Sequence, residues 1–397
     1  MSFIENSKNG ILNSTVINIQ HRPVDYYAPG AFEEARKNGK FPTPEARVPV
    51  YEFHENGDVT FNVIRYGAKS VQVAGRPGTL WGTEKHDLAE IRPGWFSARI
   101  SNIPSGFQYI CFYIDGVETL YEYAPIGRGY GFAVNYIDVP DPDLDFYLYK
   151  DVPHGAIRYE TYFSSYTGTL RNCWVYTPPA YDIDVDKEYP VLYIQHGAGE
   201  NETGWFWQGK LNYIIDNLLA EGKCEEMIVV CNCGYADAAS GNEKAIFSDL
   251  SLLLKDDCIP FIEKRFRVKK DKAYRAMAGL SMGSFQTQYC CFNHPELFDY
   301  IGVFSGSTGV ALDGSRQFSR LSVLDIDAIT ADVDAFNAQH KLLYYGRGLQ
   351  EGGDKLPLEI EFLRKREVKC EYFVCDGVHE WQVWRKTAYD FIQRLFK

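Results

Sequence analysis

The chain has 397 residues, with 41 Lys and Arg against 53 Asp and Glu, and a net charge of -12. Its length predicts two domains, each with its own core. The acidic balance argues against nucleic acid or an anionic membrane as a partner, because both attract clustered Lys and Arg. Residues 1–20 contain no secretory apolar run, and nothing later reaches transmembrane length. We therefore expect a cytoplasmic protein, or a secreted one if a leader has been removed.

Residues 1–47 show no clear period and are predicted to form an irregular arm. From residue 48 to 137 the period is two, as in strands, with alternation clearest from Val59 to Val63 and from Phe107 to Tyr113. Gly and Pro interrupt the pattern regularly, and Asp115-Gly116 is a hairpin-turn pair. These features predict a small all-β sandwich.

Aromatic residues of this β-domain invite a sugar-binding interpretation. We expect most of the rings to fill its interior instead, because a small sandwich needs large side chains there. The rings in question include Trp81, Trp95, Tyr121, Tyr123, Tyr130 and Tyr136.

Residues 138–155 mix prolines with aspartates and are predicted to link the two domains. In residues 156–397, short apolar runs such as Val191 to Ile194 are typical of buried parallel strands. Helical stretches such as Leu211 to Leu219 alternate with them. The pattern predicts a doubly wound α/β sheet.

Gly279-Leu280-Ser281-Met282-Gly283 lies between a strand-like run, Ala273 to Ala278, and a helix-compatible run, Ser284 to Phe292. The pentapeptide alone is a weak signal, but this context is that of the nucleophile elbow of an α/β-hydrolase. A strained turn presents the weakly nucleophilic serine hydroxyl to a histidine that activates it. Ser281 is therefore predicted to be the nucleophile.

In an α/β-hydrolase the acid and then the histidine follow the nucleophile, each on a loop after a later strand. Of the histidines beyond Ser281, only His379 has this position, after the strand-like run Tyr372 to Cys375, and we predict that it is the general base. The loop after Leu342 to Tyr345 offers two carboxylates. Glu351, nearer the strand end, is the first choice for the triad acid, and Asp354 is the reserve.

Hydrolysis also needs donors for the oxyanion. Met282, after the nucleophile, is predicted to supply one backbone N–H, and either Gly197 or Ala198 the other. The candidate substrate-binding residues are Trp205, His196 and Trp381. A structural role for His196 is favoured, and core packing is an equal alternative for the indole of Trp205. No metal or cofactor is expected, because Cys231-Asn232-Cys233 has no second ligand pair nearby.

Three motifs together resemble the first family of carbohydrate esterases, which includes feruloyl and acetyl xylan esterases and is related to esterase D. They are His196-Gly197 followed by Glu202 to Trp205, the elbow at Ser281, and Gly377-Val378-His379-Glu380-Trp381 with Trp384-Arg385. Asp151 to Gly155 and Tyr176 to Tyr181 are similar to members with an N-terminal immunoglobulin-like domain. The chain departs from the family at Glu351, where Asp is common, and at Gly197-Ala198, where Gly-Gly is common.

The resemblance implies a serine esterase that acts through an acyl-enzyme on plant cell-wall esters, feruloyl ahead of acetyl. Enterochelin-type siderophore esterases share the motifs, but the basic stretch from Lys264 to Lys270 that would suit their anionic ligand lies on the far side of the sheet by topology. A non-catalytic carbohydrate-binding protein with a degenerate hydrolase is a further alternative, against which the intact triad argues. The expected partners are a small-molecule or oligosaccharide ester and, if subunits pair, a second copy in a homodimer.

Overall fold

The computed structural model describes residues 15–17, 26–27, 30–41, 47–236, 245–307, 324, 326–353 and 355–397. The chain divides into two compact units, Gln20–Asp145 and a larger one formed by Met1–Ile19 with Phe146–Lys397. The division between Asp145 and Phe146 falls within the stretch that the sequence predicts to be a linker. Strands and helices are numbered separately, in chain order.

The first strand of the larger unit is β1 (Thr15–Ile17), and the elements that follow it form the smaller unit. These are β2 (Tyr26–Tyr27), α1 (Ala31–Lys37), β3 (Arg47–Val48), β4 (Tyr51–Phe53), β5 (Val59–Ile64), β6 (Val71–Gly75), β7 (His86–Arg92), β8 (Trp95–Ile100), β9 (Gly106–Ile114), β10 (Val117–Thr119), β11 (Ile126–Gly129) and β12 (Phe132–Val139). Their pairing is antiparallel, in the order β11-β12-β9-β6-β7-β8-β5-β4, with β10 on β9 and a separate β2-β3 pair.

The smaller unit is all-β in the stretch where the sequence shows a period of two. Residues Val59, Phe61 and Val63 of β5 are buried, as their spacing predicts. Asp115 and Gly116 both have positive φ, 50° and 81°, as a two-residue hairpin turn between β9 and β10 requires. The immunoglobulin-like topology stays a prediction.

Most of the aromatic rings of the smaller unit lie in its interior. Tyr121 and Tyr136 are buried, and Trp81, Trp95 and Tyr123 pack partly buried against the core. Tyr130, at 45% exposure, lies on the surface.

The segment before residue 48 differs from the predicted irregular arm, because it contains β1, β2, α1 and the start of β3. β1 pairs with a strand some 140 residues later, with Thr15 opposite Tyr159. Such short strands are fixed by distant partners, and a local sequence period cannot reveal them.

The larger unit continues with alternating strands and helices. They are β13 (Ala156–Ser164), β14 (Thr169–Thr177), β15 (Val191–Gln195), α2 (Gly204–Trp207), α3 (Leu211–Ala220), β16 (Ile228–Asn232), α4 (Ala245–Leu253), α5 (Ile259–Arg265), β17 (Arg275–Leu280), α6 (Met282–Asn293), β18 (Tyr300–Phe304), α7 (Ile326–Ile329), α8 (Val333–Ala338), β19 (Leu342–Gly348), α9 (Lys355–Lys365), β20 (Glu371–Cys375) and α10 (Trp381–Ile392). A π-helical turn, Leu254–Cys258, joins α4 to α5.

The strands of the larger unit form one mixed sheet in the order β1-β13-β14-β16-β15-β17-β18-β19-β20. From β16 to β20 all neighbours are parallel. α6 packs on β15, β17 and β18 and contacts α4. α10 packs on β18, β19 and β20 and contacts α3. Because helices cover the central strands, β15 to β19 are buried except at Arg275, the first residue of β17, and their sequences are mostly apolar.

Parallel strands end at a common edge of the sheet, so the residues that follow them meet there. Ser281 follows β17, Glu351 lies beyond β19 and His379 beyond β20. None of the helices that the structure describes is long and apolar enough to cross a membrane.

Candidate active site

Ser281 occupies a strained turn between β17 and α6. Its φ of 49° and ψ of -116° are rare for a residue with a side chain. The glycines on either side permit this turn: a Cβ on Gly279 would collide with the Gly283 carbonyl, and a Cβ on Gly283 would lie 2.6 Å from the His196 carbonyl oxygen. The turn therefore holds the Ser281 side chain at the carboxyl edge of the sheet.

The structure brings together Ser281, His379 and Glu351. The Ser281 Oγ lies 2.9 Å from the His379 Nε2, and the His379 Nδ1 lies 3.2 Å from the Glu351 Oε2. Because a carboxylate accepts, Nδ1 carries the ring proton and Nε2 can take the proton of the serine. Asp354, the reserve acid, lies outside the described residues.

The loops that carry the acid and the histidine are bonded to each other. The Leu349 N–H donates to the Cys375 carbonyl at 2.7 Å, and the Gly377 N–H donates to the Gln350 side-chain oxygen at 2.6 Å. These bonds limit how far the carboxylate and the imidazole can move apart.

Glu351 is held by more than the histidine. Its Oε1 accepts hydrogen bonds from the Ser305 hydroxyl at 2.6 Å and from the Gly348 N–H at 2.8 Å. Burial alone would raise the pKa of Glu351, but the hydrogen bonds from His379, Ser305 and Gly348 outweigh it and hold that pKa below its usual value. The carboxylate is therefore ionised at neutral pH, as a group that stabilises an imidazolium must be.

Ser305 and Trp384 complete this arrangement and were not among the residues predicted from the sequence. The Trp384 Nε1 donates to the Ser305 Oγ at 2.9 Å, and the indole stands edge-on to the His379 ring, with centroids 5.2 Å apart. Ser305 directly follows β18, so its place after a parallel strand was a usable signal. The sequence carries no comparable signal for a hydrogen bond from Trp384.

The loop after β15 lies beside the nucleophile: a Cβ on Gly197 would be 3.4 Å from the Ser281 Cβ. In this loop the Gly197 N–H donates to the Glu200 Oε2 at 3.0 Å, and the Gly199 N–H donates to the Tyr235 hydroxyl at 2.6 Å. Of the two donors that the sequence left open, the Gly197 N–H is thus engaged, and Ala198 is exposed.

Met282 is the first residue of α6, where backbone N–H groups have no acceptor within their own helix. Its N–H and that of the exposed Ala198 are the two candidates to stabilise a developing negative charge.

His196 supports this loop and does not face a ligand, which corrects its prediction as a substrate-binding residue. The ring is 1% exposed, its Nδ1 lies 2.8 Å from the Gly197 carbonyl oxygen, and its Nε2 accepts from the Gly234 N–H at 2.9 Å. Burial lowers the pKa of His196 to about 4, so the ring is neutral at physiological pH.

Trp205 and Trp381 are also corrected as substrate-binding residues, because both indoles are fully buried. Their rings meet edge to face with centroids 5.2 Å apart. The Trp205 Nε1 donates to the Gln195 carbonyl at 2.9 Å, and the Trp381 Nε1 donates to the Glu200 Oε1 at 3.0 Å. Core packing, the alternative left open, is their observed role.

A cavity of about 640 Å³ lies elsewhere, lined by Pro190, Asp216 and Tyr274 among others. Pro190 and Tyr274 directly precede β15 and β17, so the cavity is at the edge of the sheet opposite Ser281 and takes no part in the site. Among the described residues, no three His, Cys, Asp or Glu side chains are grouped closely enough to hold a metal ion.

Comparisons with known proteins agree with an ester hydrolase. The sequence model of a family described as "Putative esterase" matches residues 164–350. An endo-1,4-beta-xylanase/feruloyl esterase of Xylanibacter ruminicola is 34% identical over 358 residues, 87% of this chain and 45% of that protein. Endo-1,4-beta-xylanase Y of Acetivibrio thermocellus is 30% identical over 194 residues, 45% of this chain and 16% of that protein. The chain thus spans less than half the length of either relative.

Solved structures share the fold. A CE1 ferulic acid esterase of Anaeromyces mucronatus, in complex with ferulic acid, has a TM-score of 0.57 and 24% identity, covering 64% of this chain and 96% of that one. The enterochelin esterase of Shigella flexneri has a TM-score of 0.59 and 15% identity, covering 87% of this chain and 95% of that one. The larger unit therefore has the α/β-hydrolase fold of these esterases.

Proposed function

Because the chain matches the sequence model of an esterase family and is 34% identical to a xylanase/feruloyl esterase, we propose that it is a serine esterase of the family that includes the CE1 feruloyl esterases and that it hydrolyses carboxylic esters of plant cell-wall carbohydrates. Feruloyl and related hydroxycinnamoyl esters are its proposed substrates, ahead of acetyl esters. The observation that carries the proposal is the 2.9 Å separation between the Ser281 Oγ and the His379 Nε2, with Glu351 behind the imidazole.

The chemistry proposed is acyl transfer in two halves. In the first, His379 takes the proton of Ser281 as the serine oxygen bonds to the ester carbonyl carbon, and the N–H groups of Met282 and Ala198 stabilise the oxyanion. The C–O bond to the alcohol then breaks, and His379 gives its proton to the departing oxygen. In the second half, water attacks the acyl-enzyme with His379 again as base, and the acid leaves as Ser281 regains its proton.

The proposed substrate class is inferred from the relatives. The Xylanibacter ruminicola protein, 34% identical over most of this chain, is described as a xylanase and feruloyl esterase. Rates on methyl ferulate, methyl p-coumarate and an acetate ester test the class directly. We expect the hydroxycinnamate esters to have the higher kcat/KM, and a preference for acetate would refute that order.

Variants test the mechanism. Ser281→Ala and His379→Ala should each lower kcat about a thousandfold or more while the protein stays folded, because each removes one partner of the proton transfer. A fluorophosphonate should label wild-type Ser281 covalently. Near-wild-type turnover in either variant contradicts the assignment, and failure to label would favour the non-catalytic, carbohydrate-binding alternative.

A siderophore esterase remains the second candidate by fold. Its polyanionic catecholate ligand calls for cations at the active site. Within the basic stretch 264–270, Arg265 pairs with Glu160 at 3.3 Å, and the Arg267 guanidinium lies 3.9 Å from the Tyr181 ring centroid. This stretch precedes β17, at the end of that strand away from Ser281, so its cations cannot contact a ligand bound at the serine. We therefore rank the cell-wall ester first.

A further inference from the structure

Glu200 places a buried carboxylate between two parts of the site. One is the loop after β15 that contains Gly197 and Ala198, here called the oxyanion loop, and the other is the helix that follows His379. The residue is 8% exposed. Its Oε2 accepts from the Gly197 N–H at 3.0 Å, and its Oε1 accepts from the Trp381 Nε1 at 3.0 Å. Trp381 begins α10, two residues after His379. One side chain therefore bonds both to the loop that contains Ala198 and to the helix that follows the general base.

We propose that Glu200 is a positioning residue that holds the oxyanion donor of Ala198 in register with His379. The inference rests on the proposed serine-esterase mechanism and deepens it. Gly197 is bound on both sides: its N–H donates to Glu200, and its carbonyl, which shares a peptide group with the Ala198 N–H, lies 2.8 Å from the His196 Nδ1. With Gly197 fixed and the Gly199 N–H bound to Tyr235, the intervening Ala198 N–H has little freedom to turn.

A carboxylate suits this position because the Gly197 N–H and the Trp381 indole N–H both donate to it. A glutamine would present one oxygen and one NH₂ group, and it could accept from only one of the two N–H groups. The other N–H would meet a second donor in a buried place, which is costly. Glu200→Gln, normally a mild substitution, should therefore loosen the loop.

The first experiment separates binding from chemistry in Glu200→Gln. We expect kcat on methyl ferulate to fall about 10- to 100-fold with KM within about threefold, because oxyanion stabilisation acts in the transition state. The rate at which a fluorophosphonate labels Ser281 should fall in parallel. The matched control is Glu160→Gln, another buried glutamate of the larger unit, paired with Arg265 far from the site, and it should leave both rates unchanged.

The second experiment is a suppression test. Trp381→Phe removes the indole donor, so a glutamine at position 200 can turn its oxygen to the Gly197 N–H and accept from it. We expect Glu200→Gln to cost less than about threefold in kcat when introduced into Trp381→Phe. Two independent effects would instead multiply, and that result overturns the proposal. If Trp381→Phe does not fold, the kcat-against-KM split of Glu200→Gln decides, and a change confined to KM overturns the proposal.

Failure of the proposed function is distinguishable from failure of this inference. Labelling of Ser281 needs no knowledge of the natural ester, so the comparison of variants holds even if methyl ferulate is a poor substrate. A wild-type chain that neither labels nor turns over esters refutes the proposed function. A wild-type chain that labels, alongside a Glu200→Gln variant that labels equally fast, refutes the positioning role alone.

Discussion

The proposed acid of the site is a glutamate, and its side chain is one methylene longer than that of the aspartate common at this position in the resembled family. A longer carboxylate has more rotamers to restrain. Here the restraint comes from the Ser305 hydroxyl and the Gly348 N–H, which bind one oxygen while His379 takes the other. The site thus fixes the geometry of Glu351 with hydrogen bonds from two neighbouring strand ends.

Glu351→Gln should lower kcat by about a thousandfold, because the neutral amide can no longer stabilise the imidazolium and can favour the wrong tautomer of His379. Asp354→Asn, which changes the reserve acid, should leave kcat within about threefold of wild type. Steady-state rates on methyl ferulate decide between the two residues, and the reverse ranking would reassign the acid.

Ser305→Ala should lower kcat about tenfold with little change in KM, since it removes one hydrogen bond to an ionised group. That bond stabilises the charged carboxylate, so its loss raises the pKa of Glu351. Steady-state rates on methyl ferulate measure the loss. The control is Ser164→Ala, which removes a 2.6 Å hydrogen bond to Asp257 elsewhere in the unit and should leave kcat unchanged.

At the scale of elements, the oxyanion loop shows where sequence reasoning stops. The Gly-x-Ser-x-Gly motif between a strand and a helix predicted Ser281, and position after a strand predicted Glu351 and His379, because parallel strands end at one edge. The choice between Gly197 and Ala198 was not predictable, because it depends on Glu200 and Tyr235 taking neighbouring N–H groups. The roles of the two buried tryptophans were open for the same reason: burial is set by packing across the fold, which local composition does not specify.

His196 makes the stability of this loop depend on pH. Its pKa is about 4 when folded and near 6.5 when unfolded, so between these values the unfolded chain binds a proton that the folded chain does not. Stability is therefore lost as pH falls from 7 towards 4, by about 2 kcal/mol between pH 7 and 5. Urea unfolding of wild type and His196→Asn at both pH values measures this, and we expect a smaller pH difference in the variant. An equal difference would show that His196 is not the titrating group.

At the scale of the whole molecule, the larger unit is not continuous along the sequence, because the smaller unit is inserted into it. β1 lies before the smaller unit but pairs with β13 of the larger one, so the hydrolase sheet uses chain from both sides of the β-domain. A boundary placed in the linker from composition alone misses this, because a three-residue strand leaves no periodic signal.

A chain that starts at Phe146 should therefore be less stable and prone to associate, because it lacks β1 and leaves the edge of β13 unpaired. Light scattering after size exclusion and the midpoint of thermal unfolding measure both effects. The matched control joins residues 1–19 to 146–397 through a flexible linker of about ten residues, which restores β1 without the smaller unit. We expect this control to be monodisperse where the shorter chain is not, and equal behaviour of the two would show that β1 is dispensable. If the control hydrolyses methyl ferulate at the wild-type rate but no longer binds insoluble xylan, the smaller unit is a carbohydrate-binding domain, contrary to the expectation that its aromatic rings serve mainly to fill its interior.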